Sequence, residues 1–246
     1  RDFRDPKMFW HEASNKWIVA IAAHDQISFY ASSNFKNWVK LSDFGKTVGS
    51  HDGVWECPDL FPIEYNNKTY WVLLVNINPG GPNGGSATQY FIGDFDGKSF
   101  KSEAKLTKWA DYGPDEYAGV TWSNTDKRKI LIGWMSNWQY ANIVPTEKFR
   151  NAFTLPRELG LIKIGDELYL KSMPISELKS IEQSPISKYG ILVNESVDLT
   201  TLVGKINTPS KSEFNFSSQN NYKIEFSNTL NEKVIIGYNK EKNNFF

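Results

Sequence analysis

Two carboxylate-bearing motifs stand out in the sequence because a proline follows each within two residues. The first is Phe3-Arg4-Asp5-Pro6, and the second is Trp55-Glu56-Cys57-Pro58-Asp59. Pro6 restrains Asp5 to extended geometry, and a neighbouring Arg4 guanidinium is expected to favour a charged Asp5 carboxylate. A charged carboxylate can accept hydrogen bonds from sugar hydroxyls, but it cannot donate a proton.

Glu56 has different neighbours, the indole of Trp55 and the thiol of Cys57. Apolar neighbours disfavour the charged form of a carboxyl group, and a carboxyl group that keeps its proton can act as a general acid on a glycosidic oxygen. Two carboxyl groups in contrasting environments are what glycoside hydrolysis requires. Taken singly, each motif also fits an ordinary surface turn or strand edge, since exposed ion pairs are common.

Two further segments combine aromatic and polar residues. In Trp134-Met135-Ser136-Asn137-Trp138-Gln139-Tyr140, we expect Trp134 to be core and Trp138 to be a platform for a sugar ring. The segment Asp111-Tyr112-Gly113-Pro114-Asp115-Glu116-Tyr117 places three acids before a predicted strand. One of them is expected to bind hydroxyl groups.

Charge and motif content argue against several functional classes. The 28 basic and 28 acidic residues give zero net charge, so there is no electrostatic reason to expect nucleic acid or an anionic membrane as partner. The glycine-rich segment 80–85 lacks the Lys-Ser/Thr of a phosphate loop. The three histidines are not at metal-ligand spacing, so we expect neither a metal nor a cofactor.

Elements that could position these groups repeat along the chain. Strand, tight turn and strand recur over residues 5–22, 57–75 and 117–134. The period of roughly 50 residues and the short apolar runs predict an all-β protein built of propeller blades. Three blades are too few to close a propeller, so we expect the first blade or blades to precede the recorded residues.

Innermost strands of successive blades converge on the propeller axis, so equivalent positions should face one another at the channel mouth. Each repeat opens with an acidic residue, namely Asp5, Glu56, and either Asp111 or Asp115. The repeat therefore predicts a ring of carboxylates.

The pattern changes after residue 173. Residues 174–186 have the composition of a linker, and short alternating strands at 213–216, 222–226 and 233–238 favour an antiparallel sandwich. We therefore predict a propeller domain over 1–173, and a linker with part of a β-sandwich over 174–246. The final Phe245-Phe246 is expected to be a truncation inside a strand.

The motifs resemble, in order and spacing, those of glycoside hydrolase family 32, which includes invertases, inulinases and levanases. The matching segments are Phe3-Arg4-Asp5-Pro6-Lys7, Trp55-Glu56-Cys57-Pro58-Asp59, Asn76-Ile77-Asn78-Pro79-Gly80 with Gly84-Gly85-Ser86, Asp111-Tyr112-Gly113 and Ser136-Asn137-Trp138. The resemblance implies a five-bladed β-propeller, incomplete in this chain, followed by a β-sandwich. It also implies retaining hydrolysis of β-fructofuranosyl linkages in sucrose or fructans such as inulin and levan, without a catalytic metal.

The resemblance also implies residue roles. Glu56 matches the acid/base, and Asp5 matches the transition-state stabiliser that holds fructosyl hydroxyls. The remaining residues expected to bind substrate are Arg4, Cys57, Asp111, Asp115, Asn137 and Trp138.

One departure from the family pattern concerns the nucleophile, which is the Asp of an Asn-Asp-Pro-Asn-Gly motif. This motif is absent from the sequence, so we expect the nucleophile to lie upstream of the recorded residues. The alternatives are a non-catalytic fructan-binding module, a fructosyltransferase on the same fold, and a hydrolase acting on arabinofuranosides.

Cellular location has only weak sequence support. Asn-x-Ser/Thr sequences at Asn67, Asn194 and Asn215 slightly favour a secreted or periplasmic protein. No signal peptide or membrane span is recognised in these residues.

Overall fold

The computed structural model describes residues 2–206, 209–218 and 220–246. They form two compact units, Arg1–Glu182 and Gln183–Phe246. Strands make up nearly all of the regular structure, and the described helical segments are short: 3₁₀ turns at Glu12–Ser14 and Ser176–Ile181, and α1 at Thr200–Val203. The all-β prediction is confirmed.

The described residues of the first unit form three blades, which are numbered in chain order. The first of them is a four-stranded antiparallel sheet in sequential order. Its strands are β1 (Phe3–His11), β2 (Lys16–Ala23), β3 (Gln26–Ser32) and β4 (Val39–Phe44). Asn15 closes the β1–β2 connection with φ 52°, a left-handed conformation that asparagine tolerates better than most residues.

The second blade repeats this order. Its strands are β5 (Val54–Tyr65), β6 (Lys68–Asn78), β7 (Ala87–Phe95) and β8 (Phe100–Lys101), with the short β9 (Lys108–Trp109) also paired to β7. Asn66 and Asn67, both at positive φ, form the two-residue turn between β5 and β6. Positive φ at both positions is what the favoured two-residue hairpin turn requires.

The third blade is built in the same way from strands later in the chain. It contains β10 (Tyr117–Thr121), β11 (Lys129–Met135), β13 (Arg157–Ile164) and β14 (Glu167–Pro174), with the two-residue β12 (Ala152–Phe153) on the edge of β11.

The second blade lies between the other two, and its strand β6 is therefore buried on both faces. Leu73 and Val75 enter a cluster shared with Ile18 and Phe29 of the first blade. Val72 and Leu74, on the opposite face, enter a second cluster that contains Leu131 of the third blade. A strand covered on both sides needs a continuous apolar run rather than alternation, which explains the sequence Trp71-Val72-Leu73-Leu74-Val75.

A β-bulge interrupts the first strand of every blade at the equivalent place. The register shifts fall between Arg4 and Lys7, between Glu56 and Asp59, and between Tyr117 and Val120. In each bulge two residues oppose one, and the first of the two has positive φ: Asp5 at 58°, Cys57 at 44° and Ala118 at 51°. Such conformations are uncommon for non-glycine residues, and bulges of this kind redirect neighbouring side chains.

The bulges align Arg4, Glu56 and Tyr117 as equivalent positions on the three blades. The predicted ring of carboxylates is therefore wrong in composition. Asp5 lies one position beyond Glu56 in this alignment, while Asp111 and Asp115 belong to the loop before β10.

A buried charged contact joins all three blades just after the bulges. Lys7 Nζ lies 3.2 Å from Asp59 Oδ2 and donates to the Thr121 carbonyl at 2.6 Å. The same Asp59 oxygen accepts from the Thr121 amide at 2.6 Å and its hydroxyl at 2.8 Å. Burial raises the pKa of Asp59, and the Lys7 ammonium opposes that rise.

The second unit contains a three-stranded antiparallel sheet of β15 (Tyr222–Ser227), β16 (Lys233–Asn239) and β17 (Asn244–Phe245). Within its described residues no second sheet is present, so the sandwich stays a prediction. The division after Glu182 falls within the segment expected to be a linker.

Replacing Asp59 by alanine should lower the free energy of unfolding by about 3 kcal/mol, because removal of one partner leaves the Lys7 charge without its counter-ion. Urea unfolding followed by tryptophan fluorescence measures this change. Asp94→Ala is the matched control, since Asp94 is 72% exposed and 4.0 Å from Lys68; its effect should stay below about 0.5 kcal/mol. Equal effects of the two substitutions would contradict the role of Asp59.

Candidate active site

The Glu56 carboxylate is contacted from both neighbouring blades. Arg4 Nη1 donates to Oε1 at 2.8 Å, and the Tyr117 hydroxyl donates to Oε2. About one fifth of the Glu56 side chain remains exposed. The three equivalent bulge positions therefore meet at one carboxyl group, which is accessible from one side.

The contacts of Arg4 correct the expected electrostatics. Its guanidinium pairs with Asp2 and Glu56, and no Arg4–Asp5 ion pair is found among the described residues. The physical reason is that the two side chains have different partners on the second blade: Arg4 reaches the Glu56 carboxylate, and Asp5 accepts from the Cys57 amide. The expected pairing of Arg4 with the Asp5 carboxylate is therefore wrong, and Arg4 pairs instead with Glu56, the candidate acid/base.

The predicted environment of Glu56 also differs from the structure. The Trp55 indole is buried in the core between the first two blades and donates to the Ser50 carbonyl at 2.7 Å. Successive strand residues point to opposite faces, so the indole lies away from the Glu56 carboxylate. A guanidinium and a phenol, rather than an indole, contact this carboxyl group.

Asp5 bridges the first two bulges. Its Oδ2 accepts a hydrogen bond from the Cys57 backbone amide at 3.0 Å and lies 3.6 Å from the Cys57 thiol. Within the described ranges Oδ1 has no protein partner, so it remains available to a ligand hydroxyl. The predicted proximity of Asp5 to the Glu56 strand is present, and it is made through Cys57.

Asn76 makes the equivalent bridge between the second and third bulges. This fully buried side chain donates to the Cys57 carbonyl at 3.1 Å and accepts from the Ala118 amide at 2.8 Å. Its oxygen also accepts from Thr88 at 2.6 Å. Asn76 therefore fixes the backbone on either side of Glu56 and Tyr117.

Trp138 is connected to Glu56 through aromatic contacts. Its ring lies 4.9 Å from that of Trp134, which lies 6.4 Å from Tyr117, the partner of Glu56. Trp138 is 49% exposed, as a stacking platform must be. Its role in binding stays a prediction.

Asn137 has a different environment from the one expected of a substrate ligand. It is fully buried, and its amide nitrogen donates to the carbonyls of Ser86 and Pro114 at 3.2 and 3.0 Å. Its oxygen lies where a Cβ on Gly85 would approach to 2.0 Å, so only glycine fits there. Asn137 therefore supports the 80–86 loop and the loop before β10, and its contact with a substrate stays a prediction.

Asp111 and Asp115 lie in the loop before β10 and are paired with other side chains. Asp111 Oδ2 accepts from Arg157 at 2.9 Å, and Asp115 accepts from the Tyr140 hydroxyl. Arg157 also lies 3.5 Å from the buried Glu116. Burial raises the pKa of Glu116 above its ordinary value, and the Arg157 charge opposes part of that rise. Hydroxyl binding by Asp111 or Asp115 stays a prediction.

The structure thus brings Arg4, Asp5, Glu56 and Cys57 into direct proximity. The sequence patterns did not reveal Tyr117 and Asn76 as members of this site. Alignment of the three repeats on the residue before each bulge would have indicated Tyr117, because it occupies the position of Glu56.

Across residues 2–206, 209–218 and 220–246, no three His, Cys, Asp or Glu side chains are grouped to hold a metal ion. The same residues contain no helix long and apolar enough to cross a membrane.

Comparison with protein families matches residues 1–172 to the glycosyl hydrolases family 32 N-terminal domain. Two curated relatives are the levanase of Bacillus subtilis, 41% identical over 100% of this chain and 40% of its own length, and the extracellular exo-inulinase of Aspergillus awamori, 36% identical over 100% and 49%. The chain therefore spans less than half of the length of either relative.

Solved structures of a fructofuranosidase and an exo-inulinase also match this chain. A Schwanniomyces occidentalis fructofuranosidase complexed with fructosylnystose matches 99% of this chain and 51% of its own, with 31% identity and a TM-score of 0.75. The Aspergillus awamori exo-inulinase structure matches 70% of this chain and 36% of its own, with 39% identity and a TM-score of 0.67. The predicted propeller is confirmed.

The Cys57 thiol should be nearly inert in the native protein. Burial, together with the nearby Asp5 and Glu56 carboxylates, raises the pKa of Cys57 from its ordinary value of 9.0 to about 12. A thiol reacts as its thiolate, so alkylation at pH 8 should be roughly a thousandfold slower than in the denatured chain. Iodoacetamide labelling, with mass spectrometry of the Cys57 peptide, measures both rates. A native rate within about tenfold of the denatured rate would refute this expectation.

Proposed function

We propose, on the premise that the chain belongs to glycoside hydrolase family 32, that the protein containing it hydrolyses β-D-fructofuranosyl linkages in sucrose or fructans with retention. The observation that carries the proposal is Glu56, a partly accessible carboxyl group held beside the Asp5 bulge by Arg4 and Tyr117. The names of the relatives, levanase and exo-inulinase, support fructans as the substrate class.

The proposed reaction has two steps. In the first, a carboxylate nucleophile attacks the anomeric C2, while Glu56 protonates the departing glycosidic oxygen and the C2–O bond breaks. In the second, Glu56 takes a proton from water, whose oxygen attacks C2 and releases fructose and the free nucleophile. Retention requires the two carboxyl groups to be about 5 Å apart.

The nucleophile in this proposal comes from outside the 246 residues, since they contain no Asn-Asp-Pro-Asn-Gly motif. Asp5 has another role in the proposal. Its Oδ2 is held by the Cys57 amide, which directs Oδ1 toward fructosyl hydroxyls, where hydrogen bonds strengthen as positive charge develops at C2.

The rest of the proposed substrate site follows from exposure. Trp138, half exposed and packed on Trp134, would stack on a sugar ring beyond the cleaved bond. Asp111 retains about one third of its side-chain surface and would accept a hydroxyl hydrogen bond. Asp115 would do the same after release from Tyr140. Arg4 and Cys57 would act through their contacts with Glu56 and Asp5.

Glu56→Gln should lower kcat for fructose release from sucrose and inulin by about a hundredfold to ten-thousandfold, because the amide cannot transfer the proton. Substrate should still bind. The matched control is Glu64→Gln on the same strand, whose exposed side chain is remote from Arg4 and Tyr117. The assay measures free fructose released by the full-length protein. Near-normal turnover by Glu56→Gln would remove the assignment.

The same assay separates the alternatives. A fructosyltransferase would form longer fructosides from sucrose with little free fructose, and a binding module would bind inulin without releasing any. An arabinofuranoside-acting hydrolase would release arabinose from its own substrates and no fructose from sucrose, inulin or levan.

Trp138→Ala should weaken binding of an inulin oligosaccharide about tenfold, equivalent to about 1.4 kcal/mol. Calorimetry on the Glu56→Gln background gives Kd without turnover. Trp122→Ala is the control, because Trp122 is 45% exposed and follows the opposite end of β10 from Tyr117. A loss of affinity in the control but not in Trp138→Ala would place the binding surface elsewhere.

We also propose that the protein acts outside the cell. The Aspergillus awamori relative is named an extracellular enzyme, and Asn67 lies exposed in the β5–β6 turn, where a glycan could attach in a eukaryotic host. Detection of the protein in culture medium, compared with washed cells, tests this proposal.

A further inference from the structure

A glutamate that transfers a proton must present a defined oxygen to the substrate. The terminal torsion of glutamate is broad and roughly two-fold, so the two carboxyl oxygens can exchange unless each has its own partner. In this structure Oε1 has Arg4 as partner and Oε2 has Tyr117. The carboxyl group is therefore oriented by residues from both flanking blades.

We propose that Tyr117 is a positioning residue that acts through Glu56, by fixing the orientation of its carboxyl group for proton transfer. This inference rests on the proposed function of Glu56. It adds a residue whose contribution is exerted on the general acid rather than on the sugar.

Burial of Tyr117 argues against direct substrate contact. Only 3% of the residue is exposed, and its ring packs near Trp134. The backbone directly after it is fixed by the hydrogen bond from the Ala118 amide to Asn76. The hydroxyl therefore has little freedom to leave the Glu56 carboxylate.

The phenol also remains a proton-bearing donor. Burial and the Glu56 carboxylate raise the pKa of Tyr117 above its ordinary value of 10.0. The Tyr117 hydroxyl can therefore donate to Glu56 throughout the neutral range.

Tyr117→Phe in the full-length protein tests the inference through its dependence on the leaving group. Cleavage of sucrose expels a sugar alkoxide and needs protonation, whereas a nitrophenyl β-D-fructofuranoside expels an acidic phenol and needs much less. Glu56 also acts as the base of the second step, which the two substrates share, so the comparison uses kcat/KM, which reports the steps up to cleavage of the C2–O bond. We expect kcat/KM for sucrose to fall about ten- to hundredfold and kcat/KM for the nitrophenyl substrate to fall less than about threefold.

The matched control is Tyr90→Phe. Tyr90 is also buried, and its hydroxyl accepts from the Leu170 amide at 3.2 Å in the cluster between the second and third blades. The control removes a buried phenolic oxygen without touching Glu56. It should lower thermal stability and leave the ratio of the two kcat/KM values unchanged.

The outcomes separate the inference from the proposed function. A wild-type protein that cleaves neither substrate overturns both. An active wild type, with Tyr117→Phe affecting both substrates equally or not at all, overturns the positioning role alone. If Tyr117→Phe does not fold, 3-fluorotyrosine at position 117 keeps the packing and makes the phenol more acidic. An unchanged ratio of the kcat/KM values for the two substrates would then overturn the inference.

Discussion

The site depends on how the backbones of the second and third β-bulges are each held by a side chain of the preceding blade. The Cys57 amide donates to Asp5, and the Ala118 amide donates to Asn76. Both amides belong to residues with positive φ, a conformation that persists only where surrounding contacts stabilise it. Because each bulge redirects the residue before it, these two hydrogen bonds allow Arg4, Glu56 and Tyr117 to meet.

Asp5 consequently combines two roles that mutation alone would confuse. One oxygen supports the bulge that carries Glu56, and the other is available for a hydroxyl. The inter-blade contact of Lys7 with Asp59 lies next to this site and is buried, so packing of the blades and alignment of the site rest on adjacent residues. Charges in this position are costly to leave unpaired, which restrains the relative placement of the three first strands.

Much of the fold follows from the sequence, because repeated apolar runs and turn residues act locally. The β5–β6 hairpin around Asn66 and Asn67 is an example, as is the doubly buried β6. The partners of Glu56 could not be read in the same way. Arg4 and Tyr117 contact Glu56 from the two flanking blades, so residues next to Glu56 in the sequence do not reveal its partners. The burial of Asn137 could not be predicted either, because it depends on two distant loops and motif spacing carries no information about them.

We propose that these residues supply the acid/base and hydroxyl-binding half of a fructosidase site, while the nucleophile comes from outside the 246 residues. The most direct test measures free fructose released from sucrose, inulin and levan by the 246 residues alone and by the same residues extended upstream by the native gene. We expect fructose only from the extended protein. Release at comparable rates by the 246 residues alone would contradict it, because a retaining site would then be complete without the missing carboxylate.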